Sequence, residues 1–333
     1  MANGARKTLT AGATALLVVG GAYAQGTPTN GNLPPGALPS SWDPTYNVCR
    51  GTDPKCYSNW VPASARQNKV LIFSRTAGPR HANLGTKMPA GKNPVMNADN
   101  VAQAALVAWM AAEGITADWT EDITQLSSLT SYKAVIFMSP TRDFMQAHGR
   151  AVDPTLAVNT TTGAYLDAAK VNLRQYIRGG GGFVGIHNAF GGEYNWPWYE
   201  GLLGNANYFN HGAAQNGTIN IVGAPDPSTA GLPATIPFHD EWYNLVPYPT
   251  KVKFLATVDE STLATKSTGH PGHGSFHPVA WCQYYDGGRA WLTTLGHDTA
   301  AFQDGSSLPG QAEFKKLVVQ GIKSAMGLTE FCK

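Results

Sequence analysis

Histidine is the residue type most able to do chemistry in this chain. There are nine, and most stand in loops rich in glycine, proline and aromatic residues. His81 follows Pro79-Arg80, and His187 follows the run Gly179-Gly-Gly-Gly-Phe-Val-Gly-Ile. His211 sits in Asn-Tyr-Phe-Asn-His-Gly, His239 in Phe-His-Asp-Glu-Trp-Tyr, His277 before Pro-Val-Ala-Trp, and His297 after Thr-Leu-Gly. An imidazole titrates near neutrality and serves as acid, base or metal ligand. One histidine alone is usually structural, but several at the strand ends of one sheet point to a shared site, with His81 and His187 foremost. His148, His270 and His273 lie in polar loops and read as structural, although His270-x-x-His273 has a weak metal-binding spacing.

Carboxylates accompany them. Asp240 and Glu241 are adjacent, so on any regular element they point in different directions and only one faces a given site. That one is a general base or orients a histidine. Glu193 follows the glycine turn after His187, beside the aromatic group Tyr194, Trp196, Trp198 and Tyr199. Aromatic faces stack on sugar rings, and a packed loop has the same composition. No strong motif settles the chemistry. There is no His-Glu-x-x-His, Cys-x-x-Cys, Gly-x-Ser-x-Gly or Walker sequence. Gly179–Gly182 precedes a strand rather than a helix, so it is no phosphate cradle. No cofactor is required by any motif, while scattered histidines and carboxylates are compatible with a divalent metal. Its expected ligands are His81, His187 and His211.

These side chains need strands and helices to hold them. Val70–Phe73, Ala134–Met138 and Gly182–Ile186 are short continuous apolar runs, as expected of buried parallel strands. Three strands then lead into chemistry-bearing residues: Arg80-His81, Arg142-Asp143 and His187. Val101–Glu113 and Ala164–Arg178 carry helical spacing, and Thr116–Thr120 reads as a further strand. Alternation of strand and helix implies a doubly wound α/β fold, whose ligands bind beyond the carboxyl ends of the strands. The second half is richer in β-structure, with strands at Thr218–Val222 and Val252–Val258. A hairpin follows over Pro278–Leu295, turning at Asp286-Gly-Gly288, and a closing helix over Phe314–Met326. Residues 148–163 read as a polar insertion.

Residues 1–24 read as a cleaved leader, with Arg6 and Lys7 before an apolar stretch and Ala22-Tyr23-Ala24 at its end. Gln25 becomes the mature N-terminus and the protein is expected in the periplasm or outside the cell. Residues 25–68 read as an arm, rich in Pro, Gly, Asn and Ser, without strand or helix period over 25–62. Four cysteines suit an oxidising compartment. Cys49 with Cys56 is the favoured pair, leaving Cys282 with Cys332, although three connectivities are open. Net charge is +2 and only 14% of residues are charged, which excludes a basic field for nucleic acid. No segment beyond the leader could span a membrane. The sequence does not specify an oligomeric state.

Several stretches together resemble the ThuA-like family, named for trehalose utilisation. They are Lys69–Ser74 with Arg80-His81, Gly179–His187, Trp196-Pro-Trp-Tyr199, Asp240–Tyr243, Asp259-Glu-Ser261, Pro278–Trp281 and Gly296-His297, in order over residues 69–328. The resemblance implies a flavodoxin-like, class I glutamine amidotransferase-like sheet. In that superfamily the strand-turn elbow carries a nucleophilic cysteine, and here it carries His187, which disfavours amidotransferase-like hydrolysis. The family's link to sugar catabolism implies a small-molecule or oligosaccharide substrate, a glycoside or 3-keto-glycoside, cleaved with acid/base assistance. The alternative is a non-catalytic sugar-binding module. The catalytic candidates are His187, His81, Asp240 and Glu241. The substrate-binding candidates are Arg80, Asp143, Glu193, Trp196, His211, Tyr243, His277 and His297.

Overall fold

The computed structural model describes Met1 and residues 33–61, 65–146 and 168–333. The leader reading and the 148–163 insertion, with His148, lie outside the described residues. Part of the arm departs from the expected lack of regular structure. Strands β1 (Trp42–Asp43) and β2 (Val48–Gly51) pair with each other, and β2 joins the main sheet. A buried ion pair explains the order, since Arg50 Nε lies 2.6 Å from Asp43. Arg50 also donates to the Thr250 carbonyl and to Gln283.

The parallel half is built as the apolar runs require. It comprises β3 (Lys69–Phe73), α1 (Val101–Ala112), β4 (Thr116–Thr120), β5 (Ala134–Met138), α2 (Ala168–Arg178) and β6 (Gly182–Ile186). Side chains alternate across the strands. Val70, Ile72, Ala134, Ile136 and Val184 pack in the core that includes α1. Leu71, Phe73, Val135, Phe137 and Phe183 pack in the opposite core with Leu173 and Ile177 of α2. Gly182 is needed for close approach, because a Cβ there would stand 2.4 Å from the Ala325 carbonyl oxygen.

The second half contains α3 (Pro197–Leu202), β7 (Tyr208–Asn210), β8 (Gln215–Ile221), β9 (Thr235–Asp240), β10 (Asn244–Leu245) and β11 (Lys253–Asp259). The hairpin β12 (His277–Tyr285) and β13 (Gly288–Thr293) follows, then α4 (Gln311–Ala325). The main sheet runs β4-β3-β5-β6-β13-β12-β11-β8-β9. Its first five strands are parallel, and their order is second, first, third, fourth, fifth along the chain. This is the flavodoxin-like order. From β13 onward the pairing is antiparallel. The two disulfides are Cys49–Cys56 and Cys282–Cys332. Among the described residues no helix is long and apolar enough to cross a membrane.

Candidate functional site

The parallel strands deliver their chemistry at their carboxyl ends. His187 comes directly after β6 and takes a left-handed φ of 51°. That conformation is strained for a residue with a Cβ, and such strain collects at functional sites. The loop after β5 packs against the loop after β6, where a Cβ on Gly192 would stand 2.3 Å from the Arg142 carbonyl oxygen. His81 departs from expectation in one respect. A loop carries it, not the end of β3 itself, since β3 stops at Phe73.

His187 is fully buried, and its surroundings fix its tautomer. Nδ1 lies 2.9 Å from the Thr294 carbonyl, which only accepts, so Nδ1 donates. Nε2 therefore carries the lone pair and receives the Tyr243 hydroxyl at 2.9 Å. The His81 ring lies 4.6 Å from that of His187, and the His297 ring lies 5.4 Å away. Glu241 joins them from the end of β9, with Oε2 3.1 Å from His297 Nδ1, 3.5 Å from His211 Nε2 and 3.7 Å from His187 Nε2. One ligand-capable atom from each of His81, His187, Glu241 and His297 falls within a span of 4.8 Å.

Asp240 is turned the other way, as its adjacency to Glu241 requires. It is fully buried and accepts the backbone N–H groups of Gly296 at 2.7 Å, His297 at 3.1 Å and Glu241 at 2.8 Å. These bonds tie the end of β9 to the loop after β13. Asp240, expected with Glu241 as a catalytic candidate, does not line the cleft and holds these two segments together.

Burial governs the charges. It pushes His81 down to about 4 and His187 well below its ordinary value, with neighbouring imidazolium charges acting the same way. For Glu241, burial acts upward, but His297, His211 and His81 outweigh it and the carboxyl falls below its ordinary range. For His297, burial acts downward and the Glu241 carboxylate reverses the direction. Burial lifts Asp240 to about 7 against the pull of its three amide donors.

A cleft of about 260 Å³ opens beside this group. His81, Arg142, Tyr208, His211, Glu241 and Tyr243 line it. The His211 Nδ1 lies 2.5 Å from the Gly212 carbonyl, so Nδ1 donates and Nε2 presents its lone pair. Tyr208 was not singled out by the sequence, and Arg142 was read only as part of the strand-end pair Arg142-Asp143, of which Asp143 was the substrate-binding candidate. Tyr208 lies three residues before His211, so proximity to a candidate was its only available signal.

Other candidates lie elsewhere. Arg80 braces the loop after β3, 2.6 Å from Glu121 and bonded to the Leu84 and Gly85 carbonyls. Glu193 is buried against Lys170 at 2.5 Å and accepts the Met145 N–H at 2.6 Å. Trp196 stacks into the core beside Trp198 and Tyr199. Asp143 is half-buried and does not line the cleft. His277 stands behind Tyr243, bonded to its carbonyl at 2.9 Å and to Glu260 at 2.8 Å. His270 and His273 lie outside that group of ligand-capable atoms, and each accepts a backbone N–H at a ring nitrogen. His239 pairs with Asp298 at 3.3 Å.

All four cysteines are in disulfides, so no thiol serves as a nucleophile. A family model for ThuA, described as trehalose utilisation, matches residues 69–324. Two solved structures share the fold. A ThuA-like protein from Bacteroides uniformis is 19% identical with a TM-score of 0.54, over 78% of this chain and 91% of that one. A second, from Parabacteroides merdae, is 15% identical with a TM-score of 0.52, over 78% and 89%. No curated protein matches the sequence.

Proposed function

The chain belongs to the ThuA family, and from that premise we propose that it is an exported enzyme that cleaves 3-keto-glycosides. The observation that carries this reading is the convergence of His81, His187, Glu241 and His297 beside a cleft that His211 and Tyr243 also line. A keto group at C3 acidifies the C2 hydrogen. A base removes that proton, the electron pair forms the C1–C2 double bond, and the C1–oxygen bond breaks. The leaving alcohol takes a proton, so the products are a 1,2-unsaturated 3-keto sugar and the free alcohol. Glu241 and His211 stand in the cleft where the base is needed, and the Tyr208 and Tyr243 rings offer stacking faces. Arg142, exposed at the cleft, supplies positive charge toward the developing enolate oxygen.

Export completes the proposal. Two disulfides suit an oxidising compartment, and a leader ending near Ala24 would carry the chain there. The test offers trehalose and other glucosides to the purified protein, each beside its 3-keto counterpart, with His187→Ala as control. Release of alcohol from the keto forms alone, lost in the control, supports elimination. Binding of these sugars without release would overturn the enzyme reading and leave a sugar-binding module.

A further inference from the structure

We propose that His81, His187, His297 and Glu241 together hold one divalent first-row transition-metal ion. Three imidazoles and a carboxylate form a donor set suited to such ions. Donor atoms at about 2.1 Å from an ion stand roughly 3.4 Å apart in a tetrahedral arrangement. The Glu241 oxygen already lies 3.1 Å from His297 Nδ1 and 3.7 Å from His187 Nε2.

The electron-pair count points the same way. His187 carries a lone pair at Nε2 because Nδ1 donates to Thr294, and the Tyr243 hydroxyl that donates to that nitrogen would turn aside for an ion. His81 Nδ1 is buried and has no hydrogen-bond partner. His297 Nδ1 is close enough to Glu241 for ion pairing, yet no hydrogen bond of acceptable angle forms there. Glu241 Oε2 thus faces the acceptor nitrogens His187 Nε2 and His211 Nε2, and the Tyr243 hydroxyl supplies a proton only to His187. A cation satisfies the whole group at once.

The supporting shell is also in place. Metal-bound histidines commonly donate their second ring N–H to a carbonyl, and the Thr294 carbonyl does this for His187. Asp240 holds the backbone of both Glu241 and His297. His81 and Glu241 border the cleft, so an ion taking five or six ligands keeps positions open toward a substrate oxygen. Glu241 is then committed to the ion, and the role of base falls to His211.

Metal binding is read without any substrate, so it stands or falls separately from the keto-glycoside reading. The mature, disulfide-bonded protein is treated with EDTA, dialysed and titrated with Zn²⁺ by calorimetry and with Mn²⁺ by electron paramagnetic resonance. One equivalent per chain is expected, with a rise in the thermal midpoint. Affinity should fall about 100-fold or more in His297→Ala and in Glu241→Gln. His239→Ala should bind as the parent does, and near-ultraviolet circular dichroism confirms that each variant is folded. Absence of stoichiometric uptake of both ions overturns the proposal. So does uptake that survives in His297→Ala and Glu241→Gln but disappears in His270→Ala with His273→Ala.

Discussion

At the scale of single residues, the site divides into groups that face the cleft and groups that hold them. Asp240 and Glu241 show the division most sharply. Their adjacency already required opposite orientations. Which one faces inward was not readable, because it depends on where Gly296 and His297 present their N–H groups. Asp240→Asn replaces one acceptor oxygen with a donor opposite Gly296 N–H or His297 N–H. A buried amide is left unpaired, and the expected loss is about 1–3 kcal/mol in urea unfolding. An unchanged midpoint would mean that the loop after β13 is held by other contacts. His211 makes the complementary case. Its Nε2 faces Glu241 across 3.5 Å, outside the tightest group of ligand-capable atoms. His211→Gln should therefore lower keto-glycoside turnover by about 100-fold or more, in line with loss of a general base. The same variant should bind Zn²⁺ with the parent's stoichiometry. Loss of both together would place His211 among the ligands.

At the scale of elements, the parallel half was largely legible and the antiparallel half only in part. Continuous apolar runs such as Ala134–Met138 can be buried on both faces, so β3, β5 and β6 were written in composition. Glu241 comes from the far end of the sheet, since β9 is its last strand. The bonds from Gly296 and His297 to Asp240 bring that strand back to the end of β13. No local pattern encodes such a long-range return, so the sequence offered Asp240 or Glu241 as a carboxylate able to orient a histidine without saying which histidine it would meet. The loop between β11 and β12 supports the return. Glu260 accepts from the His273 N–H, from Lys266 at 3.0 Å and from His277 at 2.8 Å. Although burial acts to raise Glu260, these partners lower it from 4.5 to about 2. His273 faces Glu260, His270 and His277, and burial lowers it from 6.5 to about 4. A folded-state value below the unfolded one gives stability that is present at higher pH and lost on acidification. Stability should decline from pH 6.5 toward 4 as unfolded chains take up protons at His273. It should decline again from 4.5 toward 2 through Glu260. In Glu260→Gln the second decline should flatten, as read from urea midpoints measured at each pH. A parallel decline in parent and variant would remove Glu260 from the account.

At the scale of the whole molecule, strand β12 is where the chain's distant parts are fastened. It pairs with β11, β13 and β2, and it carries Cys282, bonded to Cys332 near the C-terminus. The arm reaches the same strand through β2, beside Cys49–Cys56. Cysteine count and the expectation of an oxidising compartment made two bridges legible. The strand pairing of the arm was not, because Val48–Gly51 is too short for a period and its order depends on Arg50 meeting Asp43, Gln283 and Thr250. The two bridges differ in reach, closing separations of 7 and 50 residues. Loop-closure entropy then assigns about 2 kcal/mol to the shorter and about 4 kcal/mol to the longer. Unfolding in urea should show Cys282→Ser with Cys332→Ser as the more destabilising pair, ahead of Cys49→Ser with Cys56→Ser. The reverse order would mean that the arm's bridge acts through the folded state. Releasing it would then free Arg50 from its buried partners, and that loss would exceed the difference in chain entropy.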